Sequence, residues 1–431
     1  MRLGDTIIAP ITGLGGAVAV IRLSGPMAFE IAANVFSGLP DSPVSHRAYY
    51  GKYKHQDDGI CTLFDEGRSY TGEKCAELSL HGSVASVRQL MAACLQHDCR
   101  TAEPGEFTWR AFANGRLDLS QAEAVRDTVE AETESALRAA NRMRQGGLRS
   151  HIQLLSMELT KTLGAIEASV DFSEEIGEFD RGSGIFVIES VLMRIDLLLA
   201  TATSGRILRH GFRVALVGRP NAGKSSLLNA LLKSNRSIVT AEAGTTRDYI
   251  EERVDLGGLP CVLIDTAGLR DSASEAEAIG VVNSRAIIAE ADLVLYLFDS
   301  VQGLQPEDQE ELAALRDAVL VATKSDLSGC KEGLAISSVT GEGLKALEQT
   351  VIDRCQMLDV DGIYIQDRHE IPIQLAKTSC LLARDILATD LPYDLAVTGL
   401  RDAISSLGEV TGETASADMI ERIFADFCIG K

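Results

Sequence analysis

Apolar positions along this chain change their period twice, and the two changes divide it. Up to about Asp118 the apolar runs are short and strand-like. Val18–Leu23 is one, entered through Gly13, Gly15 and Gly16, and Glu77–Leu80 is another, ending at His81-Gly82. They predict a mixed α/β segment. From Ser120 the spacing turns helical. Ala122, Val125, Val129, Ala136, Ala140 and Met143 recur at threes and fours, behind Ser120 and Glu123 at capping-box spacing. After Gly146-Gly147 the positions Ile152, Leu155, Leu159, Leu163, Ile166 and Val170 repeat the stripe, and a third helical stretch runs from about Ile185 to Ala202.

The second change comes at Val214–Val217, a buried-strand run. Val262–Ile264, Leu293–Phe298, Val319–Ala322 and Leu334–Ile336 follow, with helical segments between most of them. This alternation predicts a mostly parallel sheet with flanking helices. Beyond about Leu358 the helical spacing returns in Leu375, Leu382 and Ile386, then Leu400, Ile404 and Leu407, then Ile420, Ile423 and Phe427. Helices before and after an α/β block predict one helical domain interrupted by an insert. The rival reading is two separate helical regions.

Composition changes this picture in a few places. A chain of 431 residues has room for about three domains, each with its own core. No apolar run approaches the length of a membrane span, and the first residues, broken by Pro10 and Gly13, carry no signal-peptide pattern. Nine cysteines lie scattered without Cys-x-x-Cys spacing, which predicts reduced thiols in a cytoplasmic protein. The formal net charge of −21 opposes unaided nucleic-acid binding, so a nucleic-acid substrate would need a local basic patch or a partner. Arg206, Arg209, His210, Arg213 and Arg219 form one such cluster, and its plainest reading is a solvated linker.

The chemistry sits in the α/β block. Gly218-Arg219-Pro220-Asn221-Ala222-Gly223-Lys224-Ser225 follows a strand and opens a helical segment. Glycines there let backbone N–H groups approach phosphate oxygens, Lys224 reaches the β- and γ-phosphates, and Ser225 offers a hydroxyl to Mg²⁺. Asp265-Thr266-Ala267-Gly268 ends a strand, with Asp265 suited to the Mg²⁺ shell and the Gly268 N–H to the γ-phosphate. Thr246, within Gly244-Thr245-Thr246-Arg247-Asp248, suits a second Mg²⁺ hydroxyl ligand. Thr323-Lys324-Ser325-Asp326 places a carboxylate, Asp326, that can accept two hydrogen bonds from guanine, and Ser337-Ser338 follows the next strand.

Together these motifs resemble the Ras-like translation-factor class of GTPases, with departures. Thr323 stands where Asn is usual and Ser338 where Ala is usual. Leu269 stands where a water-orienting Gln is found. Leucine cannot orient water, so either the hydrolytic group comes from elsewhere or hydrolysis is very slow. Glu275 and Glu277 are candidates on the polar segment that follows.

The flanks narrow the resemblance. They carry Asp5-Thr6-Ile7-Ile8-Ala9, Val20-Ile21-Arg22-Leu23-Ser24-Gly25 and Ser69-Tyr70-Thr71-Gly72-Glu73 with Glu77 and His81-Gly82. Ala102-Glu103-Pro104-Gly105-Glu106-Phe107-Thr108, Arg116-Leu117-Asp118-Leu119-Ser120-Gln121-Ala122-Glu123-Ala124 and the tail Phe427-Cys428-Ile429-Gly430-Lys431 follow. These resemble the signatures of the MnmE (TrmE) family of tRNA-modification GTPases over essentially the whole chain.

The resemblance implies a multidomain fold. Residues 1–118 would form an N-terminal α+β folate-binding and dimer-forming domain. Residues 119–210 and 358–431 would form one all-α helical domain, and 211–357 an inserted Ras-like α/β GTPase domain. It implies a homodimer working with the flavoprotein MnmG, whose FAD stays on that partner. The pair would install a (carboxymethyl)aminomethyl group on carbon 5 of the wobble uridine of certain tRNAs. The one-carbon unit would come from 5-formyl- or 5,10-methylene-tetrahydrofolate. The acidic balance of this chain adds the expectation that the partner holds most of the tRNA.

Residue by residue, the resemblance implies a GTP set of Asn221, Ala222, Gly223, Lys224, Ser225, Ser226, Thr240, Thr245, Thr246, Asp265, Thr266, Ala267, Gly268, Thr323, Lys324, Asp326, Ser337 and Ser338. It implies Mg²⁺ at Ser225 and Thr246, and K⁺ held by Asn221, Thr240, Glu242 and Thr245. Glu277, in a Glu-x-Ile-Gly setting, becomes the catalytic residue rather than Glu275. Folate contacts fall on Arg22, Glu77, Arg116 (where lysine is common) and Lys431. On the residues alone, Arg22 and Glu77 read as a surface ion pair, and Cys428 reads first as a buried inert thiol, with tail chemistry as the rival. A ribosome-assembly GTPase switch and a nucleotide-gated scaffold are the competing classes. The acidic balance and the lack of a basic RNA-binding tail disfavour the first.

Overall fold

A computed structural model describes every residue except 55–56, 235–249, 266–286, 316, 329, 331, 356–361 and 431, together with the side chains of all but Ser173, Ile176 and Ile250 among the rest. In chain order its elements begin β1 (Ile7–Pro10), β2 (Val18–Ser24), α1 (Ala28–Val35), β3 (Ala48–Lys52), β4 (Asp58–Phe64), β5 (Cys75–His81), α2 (Val84–Cys94), β6 (Arg100–Thr101) and α3 (Glu106–Ala113). Then come α4 (Leu119–Glu130), α5 (Glu134–Arg144), α6 (Gly147–Asp171), α7 (Ser173–Ile176), α8 (Arg181–Ala200) and α9 (Ala202–His210). The sheet segment holds β7 (Phe212–Val217), α10 (Lys224–Ser234), β8 (Ile250–Leu256), β9 (Leu259–Asp265), β10 (Leu293–Asp299), α11 (Pro306–Ala314), β11 (Val319–Thr323), β12 (Leu334–Ala335) and α12 (Leu344–Arg354). The chain closes with α13 (Asp367–Leu387), α14 (Tyr393–Thr411) and α15 (Ala417–Ala425). Among the described residues no helix is long and apolar enough to cross a membrane.

The chain divides into two compact units. One comprises Met1–Arg126, Arg144–Val191 and Leu375–Lys431, and the other Asp127–Met143 and Leu192–Gln374. The first unit contains a six-stranded sheet of order β3-β4-β5-β2-β1-β6, antiparallel except where β6 runs parallel to β1. Alternation along the strands decides its faces. Ala19, Ile21 and Leu23 of β2 join Leu78 and Leu80 of β5 in a core with Ile31 of α1 and Leu90 of α2. Arg22 and Glu77, cross-strand partners in register, therefore share the opposite face.

A buried charge network closes one end of this sheet. Arg110 of α3 is fully buried. It donates to Asp5 Oδ1 at 2.6 Å, Glu73 Oε2 at 3.0 Å and Glu106 Oε1 at 3.1 Å. Arg100 donates to Asp5 Oδ2 at 2.8 Å and to both Glu106 oxygens at 2.8 and 2.6 Å. Burial pushes the Glu106 carboxyl up, but the Arg100 bonds, the Glu103 N–H and Arg110 outweigh it and hold Glu106 below the usual carboxylate range.

The helical stripes differ from their predicted positions in two instructive ways. The capping box at the start of α4 is Asp118 with Gln121, not Ser120 with Glu123. Gln121 N–H donates to Asp118 Oδ1 at 2.9 Å, and Asp118 N–H donates to Gln121 Oε1 at 3.0 Å. The Ser120 hydroxyl instead donates to the capping carboxylate at 2.6 Å. In α6 the buried stripe runs Ile152, Leu155, Leu159, Thr162, Ile166, Ser169, so Thr162 and Ser169 replace Leu163 and Val170. Their hydroxyls donate to the helix's own carbonyls, Glu158 at 3.0 Å and Ile166 at 2.9 Å, which satisfies them inside the core. Val129 and Val170, predicted apolar contacts, are about half exposed.

The tail is anchored in the same unit. Phe424 and Phe427 are buried with Leu119 and Ala122. Gly105, at φ +68°, lies so close to this turn that a Cβ would stand 2.4 Å from the Phe424 carbonyl oxygen.

The second unit is built on the predicted sheet, order β12-β11-β10-β7-β9-β8. All pairs are parallel except β8–β9, an antiparallel hairpin. Its strands are buried on both faces, as β9 and β10 show along almost their full length. The basic cluster is not a solvated linker. Arg206 pairs with Asp292 at 2.6 Å, Arg209 with Asp127 at 3.5 Å, Arg213 with Glu251 at 3.0 Å and Arg219 with Glu307 at 3.8 Å. Acidic residues distant in sequence neutralise it, and spacing alone does not reveal them.

Candidate functional site

The phosphate loop joins β7 to α10 at the carboxyl ends of the parallel strands, where such sheets bind ligands. Gly218 crosses β10 closely. Its φ is +144°, and a Cβ there would lie 2.1 Å from the Leu297 carbonyl oxygen, so only glycine fits. Asn221 takes a positive φ of 67°. Lys224 is buried, and its ammonium donates to the Gly218 and Arg219 carbonyls at 2.6 and 2.9 Å. Those contacts hold the charge over the loop, at the amino end of α10, where partial positive charge also gathers. The Ser225 hydroxyl donates to Asp265 Oδ2 at 2.8 Å. This brings two hard oxygen donors together as a Mg²⁺ site needs.

The base-reading segment is tied to the same loop. The buried Thr323 hydroxyl lies 2.8 Å from the Ala222 carbonyl and 3.0 Å from that of Phe298. It therefore faces protein carbonyls, a tether that a short side chain can make. Ser325 N–H donates to the Ile336 carbonyl at 3.0 Å, linking this segment to Ser337 and Ser338. Ser337 is fully buried, its hydroxyl accepting from Thr340 N–H at 3.1 Å, while Asp326 is exposed. Ser226 is exposed on the first turn of α10. Thr240, Glu242, Thr245, Thr246, Thr266, Ala267, Gly268, Leu269, Glu275, Glu277 and Lys431 lie outside the described residues. Of the K⁺ set only Asn221 is described.

A second cluster lies on the N-terminal sheet. Arg22 donates to Glu77 Oε1 through Nε at 3.0 Å and Nη2 at 2.8 Å. Its guanidinium lies 4.9 Å from the Tyr70 ring centre and 5.5 Å from that of Phe107, within cation–π range. The Tyr70 hydroxyl and Thr108 Oγ1 are 2.8 Å apart. Sequence reasoning missed Tyr70 and Phe107 as partners of Arg22, although both stand inside the quoted runs. Cys428 is exposed, and its carbonyl accepts from Gly105 N–H at 3.4 Å. The tail thus lies beside the turn that opens α3, two residues before Phe107. Arg116 is turned to the Gly67 carbonyl at 3.1 Å, and no direct contact joins it to Arg22 or Glu77 among the described residues.

Comparison with known proteins decides the family. Residues 6–116 match the family described as GTP-binding protein TrmE N-terminus, and 119–428 match the MnmE helical domain. A tRNA modification GTPase MnmE from Moorella thermoacetica is 40% identical over 462 aligned positions, covering 100% of both chains. The chain belongs to the MnmE family. A second MnmE, from Symbiobacterium thermophilum, is 40% identical, covering 99% of each chain. The G domain of the T. maritima FeoB iron transporter is 29% identical over 33% of this chain and 98% of its own, with a TM-score of 0.26. Membership in the MnmE family sets aside the ribosome-assembly reading. It also accounts for an α+β segment, helical segments and a phosphate-loop sheet in one chain.

Proposed function

We propose that this chain is a GTP hydrolase acting in tRNA modification, and that it works on the wobble uridine. The observation that carries the reading is the full-length match to MnmE proteins at 40% identity. Ser225 and Asp265 would hold Mg²⁺, with Thr246 as a further hydroxyl ligand. When bound, Mg²⁺ offsets charge on the β- and γ-phosphates. Lys224 and the backbone N–H groups of the phosphate loop orient those phosphates, and Asp326 reads the guanine edge.

The finer reading adds potassium, folate and a partner. Asn221, Thr240, Glu242 and Thr245 would bind K⁺, which supplies the positive charge that an arginine finger supplies in other GTPases. Glu277 would position the attacking water, a task Leu269 cannot perform. On the N-terminal sheet, Arg22 and Glu77, with Arg116, Lys431 and Cys428, would serve the tetrahydrofolate one-carbon donor. Two copies would bring their GTPase domains together for hydrolysis, and a MnmG-type flavoprotein would carry FAD and most of the tRNA contact. Residues 211–357 are proposed as the GTPase domain, inserted into a helical domain built from 119–210 and 358–431.

The test is hydrolysis in K⁺ against Na⁺ at fixed ionic strength, with Glu277→Ala alongside. Hydrolysis is expected to slow sharply in Na⁺, and Glu277→Ala to lose most turnover while still binding GTP. Equal rates in both salts would remove potassium, and an active Glu277→Ala would remove its role. Wobble uridines of a deletion strain, analysed as nucleosides, test the tRNA reading. Unchanged modification would refute it.

A further inference from the structure

The end of β10 grips the base-reading segment from behind. Asp299 Oδ2 accepts from the Lys324 ammonium at 2.7 Å. The next residue, Ser300, donates its hydroxyl to the Lys324 carbonyl at 3.0 Å and its N–H to the Thr323 carbonyl at 3.0 Å. Lys324 thus has its side-chain tip and its main chain fixed by two consecutive residues. Its backbone takes a φ of +57°, a conformation uncommon for a residue with a Cβ. The same Lys324 carbonyl accepts from Leu327 N–H at 3.0 Å, closing the turn that presents Asp326.

We propose that Asp299 is a positioning residue for guanine recognition, acting through Lys324. The proposal rests on the GTP-binding reading above. A lysine side chain is flexible, and its four-carbon stem loses rotamer freedom when it is ordered. Here that ordering is completed in the free protein. Asp299 is largely buried and is itself held by the Val301 N–H at 2.9 Å, so its carboxylate is a fixed anchor. Burial raises its carboxyl, but the Lys324 bond and the backbone N–H groups prevail and keep it ionised below the usual range. With both ends of the stem pinned, Lys324 offers the base a rigid apolar edge, and the turn carrying Asp326 keeps its register. Without Asp299 the ordering cost returns at each binding event, as lost preorganisation.

The experiment is a double-mutant cycle on GDP affinity, read with a fluorescent guanine nucleotide on the full chain. Its variants are Asp299→Asn, Lys324→Met and the pair, each with a thermal midpoint. Asp299→Asn is expected to weaken GDP about 10-fold in the wild-type background. In the Lys324→Met background its effect should fall below about 2-fold, because the anchored tip is already gone. An Asp299→Asn protein that binds GDP within about 2-fold of wild type overturns the proposal. Equal losses in both backgrounds overturn it as well, since the carboxylate would then act on the fold and not through Lys324. A wild-type chain that binds no guanine nucleotide refutes the GTP-binding reading itself, and the proposal falls with it.

Discussion

Arg110→Met removes the centre of the buried charge network and gives the sharpest energetic prediction. In the wild type, Asp5, Glu73 and Glu106 face Arg110 and Arg100, with the largely exposed Arg2 at the edge. Arg110 and Glu106 are both fully buried. Deleting one partner of such a pair leaves uncompensated charge in a medium that solvates it poorly, at a cost of about 3–5 kcal/mol. Methionine fills most of the stem volume, so little of the loss comes from a cavity. With a urea slope of about 1–3 kcal/mol/M, the midpoint should fall by about 2 M. The chain has a single tryptophan, Trp109, beside Arg110 in α3, so its fluorescence follows unfolding of this region.

The pH arm separates electrostatics from packing. Glu106 is held below its ordinary range by Arg100, the Glu103 N–H and Arg110 against the opposing effect of burial, and Asp5 is lowered to about 2 by its three arginines, likewise against burial. A depressed carboxyl contributes stability that is present above its unfolded pKa and lost as pH falls through the folded value. In Arg110→Met the share of that contribution that Arg110 supplies is absent at every pH, while Arg2, Arg100 and the Glu103 N–H keep theirs. The gap between wild type and variant should therefore be widest near pH 7 and narrow as the pH falls below about 4. A gap below about 1 kcal/mol at pH 7, or one independent of pH, would refute the reasoning.

Two further perturbations test other parts of the molecule. Thr323→Val strips the hydroxyl from the tether to the Ala222 and Phe298 carbonyls and should cost about 1–3 kcal/mol of sheet-unit stability by calorimetry. Thr323→Ser should recover most of it, and a valine variant as stable as wild type would show that the tether is idle. Phe427→Ala opens the cluster with Phe424, Leu119 and Ala122 and should cost about 3–5 kcal/mol. Because Phe427 packs in a small cluster separate from the sheet core, the loss should appear as local release of residues 424–430, read by hydrogen exchange, with the β2–β5 amides still protected. Uniform loss of protection would contradict it.

How much of this was legible in the sequence follows from where the information sits. The phosphate loop and the strands β7, β9, β10 and β11 were readable because both faces are buried and the runs are continuously apolar. Strands β3 (Ala-Tyr-Tyr-Gly-Lys) and β8 (Ile-Glu-Glu-Arg-Val-Asp-Leu) were not, because an edge strand mixes polar with apolar residues and its pairing is set by its neighbour. The α4 cap was misplaced because Ser120…Glu123 and Asp118…Gln121 both satisfy the same spacing rule, and only the carboxylate's bonds decide between them. Thr162 and Ser169 escape the stripe read from sequence because the pattern counts apolar atoms and cannot see a hydroxyl satisfied by its own helix. Asp299 lies 25 residues from Lys324, and no local rule reports a pair made by adjacent parallel strands.

Long-range pairing also bears on the charge of the molecule. A chain of net charge −21 needs a local basic patch to meet RNA unaided, and Arg206 to Arg219 is one such cluster in the sequence. Each described arginine of that cluster now has a carboxylate partner, on Asp292, Asp127, Glu251 or Glu307. Arg126 and Arg149 are likewise paired, with Asp426 and Asp118 at 3.7 Å each. An arginine already facing a carboxylate contributes little field beyond a Debye length of about 8 Å, and breaking the pair to bind a phosphate costs part of the gain. A chain of this charge distribution can hydrolyse a nucleotide in a loop lined by backbone N–H groups, because that site brings its own local field. Binding a tRNA over an extended surface would call for counter-charge, and the excess of acidic residues is the physical argument for the partner proposed above.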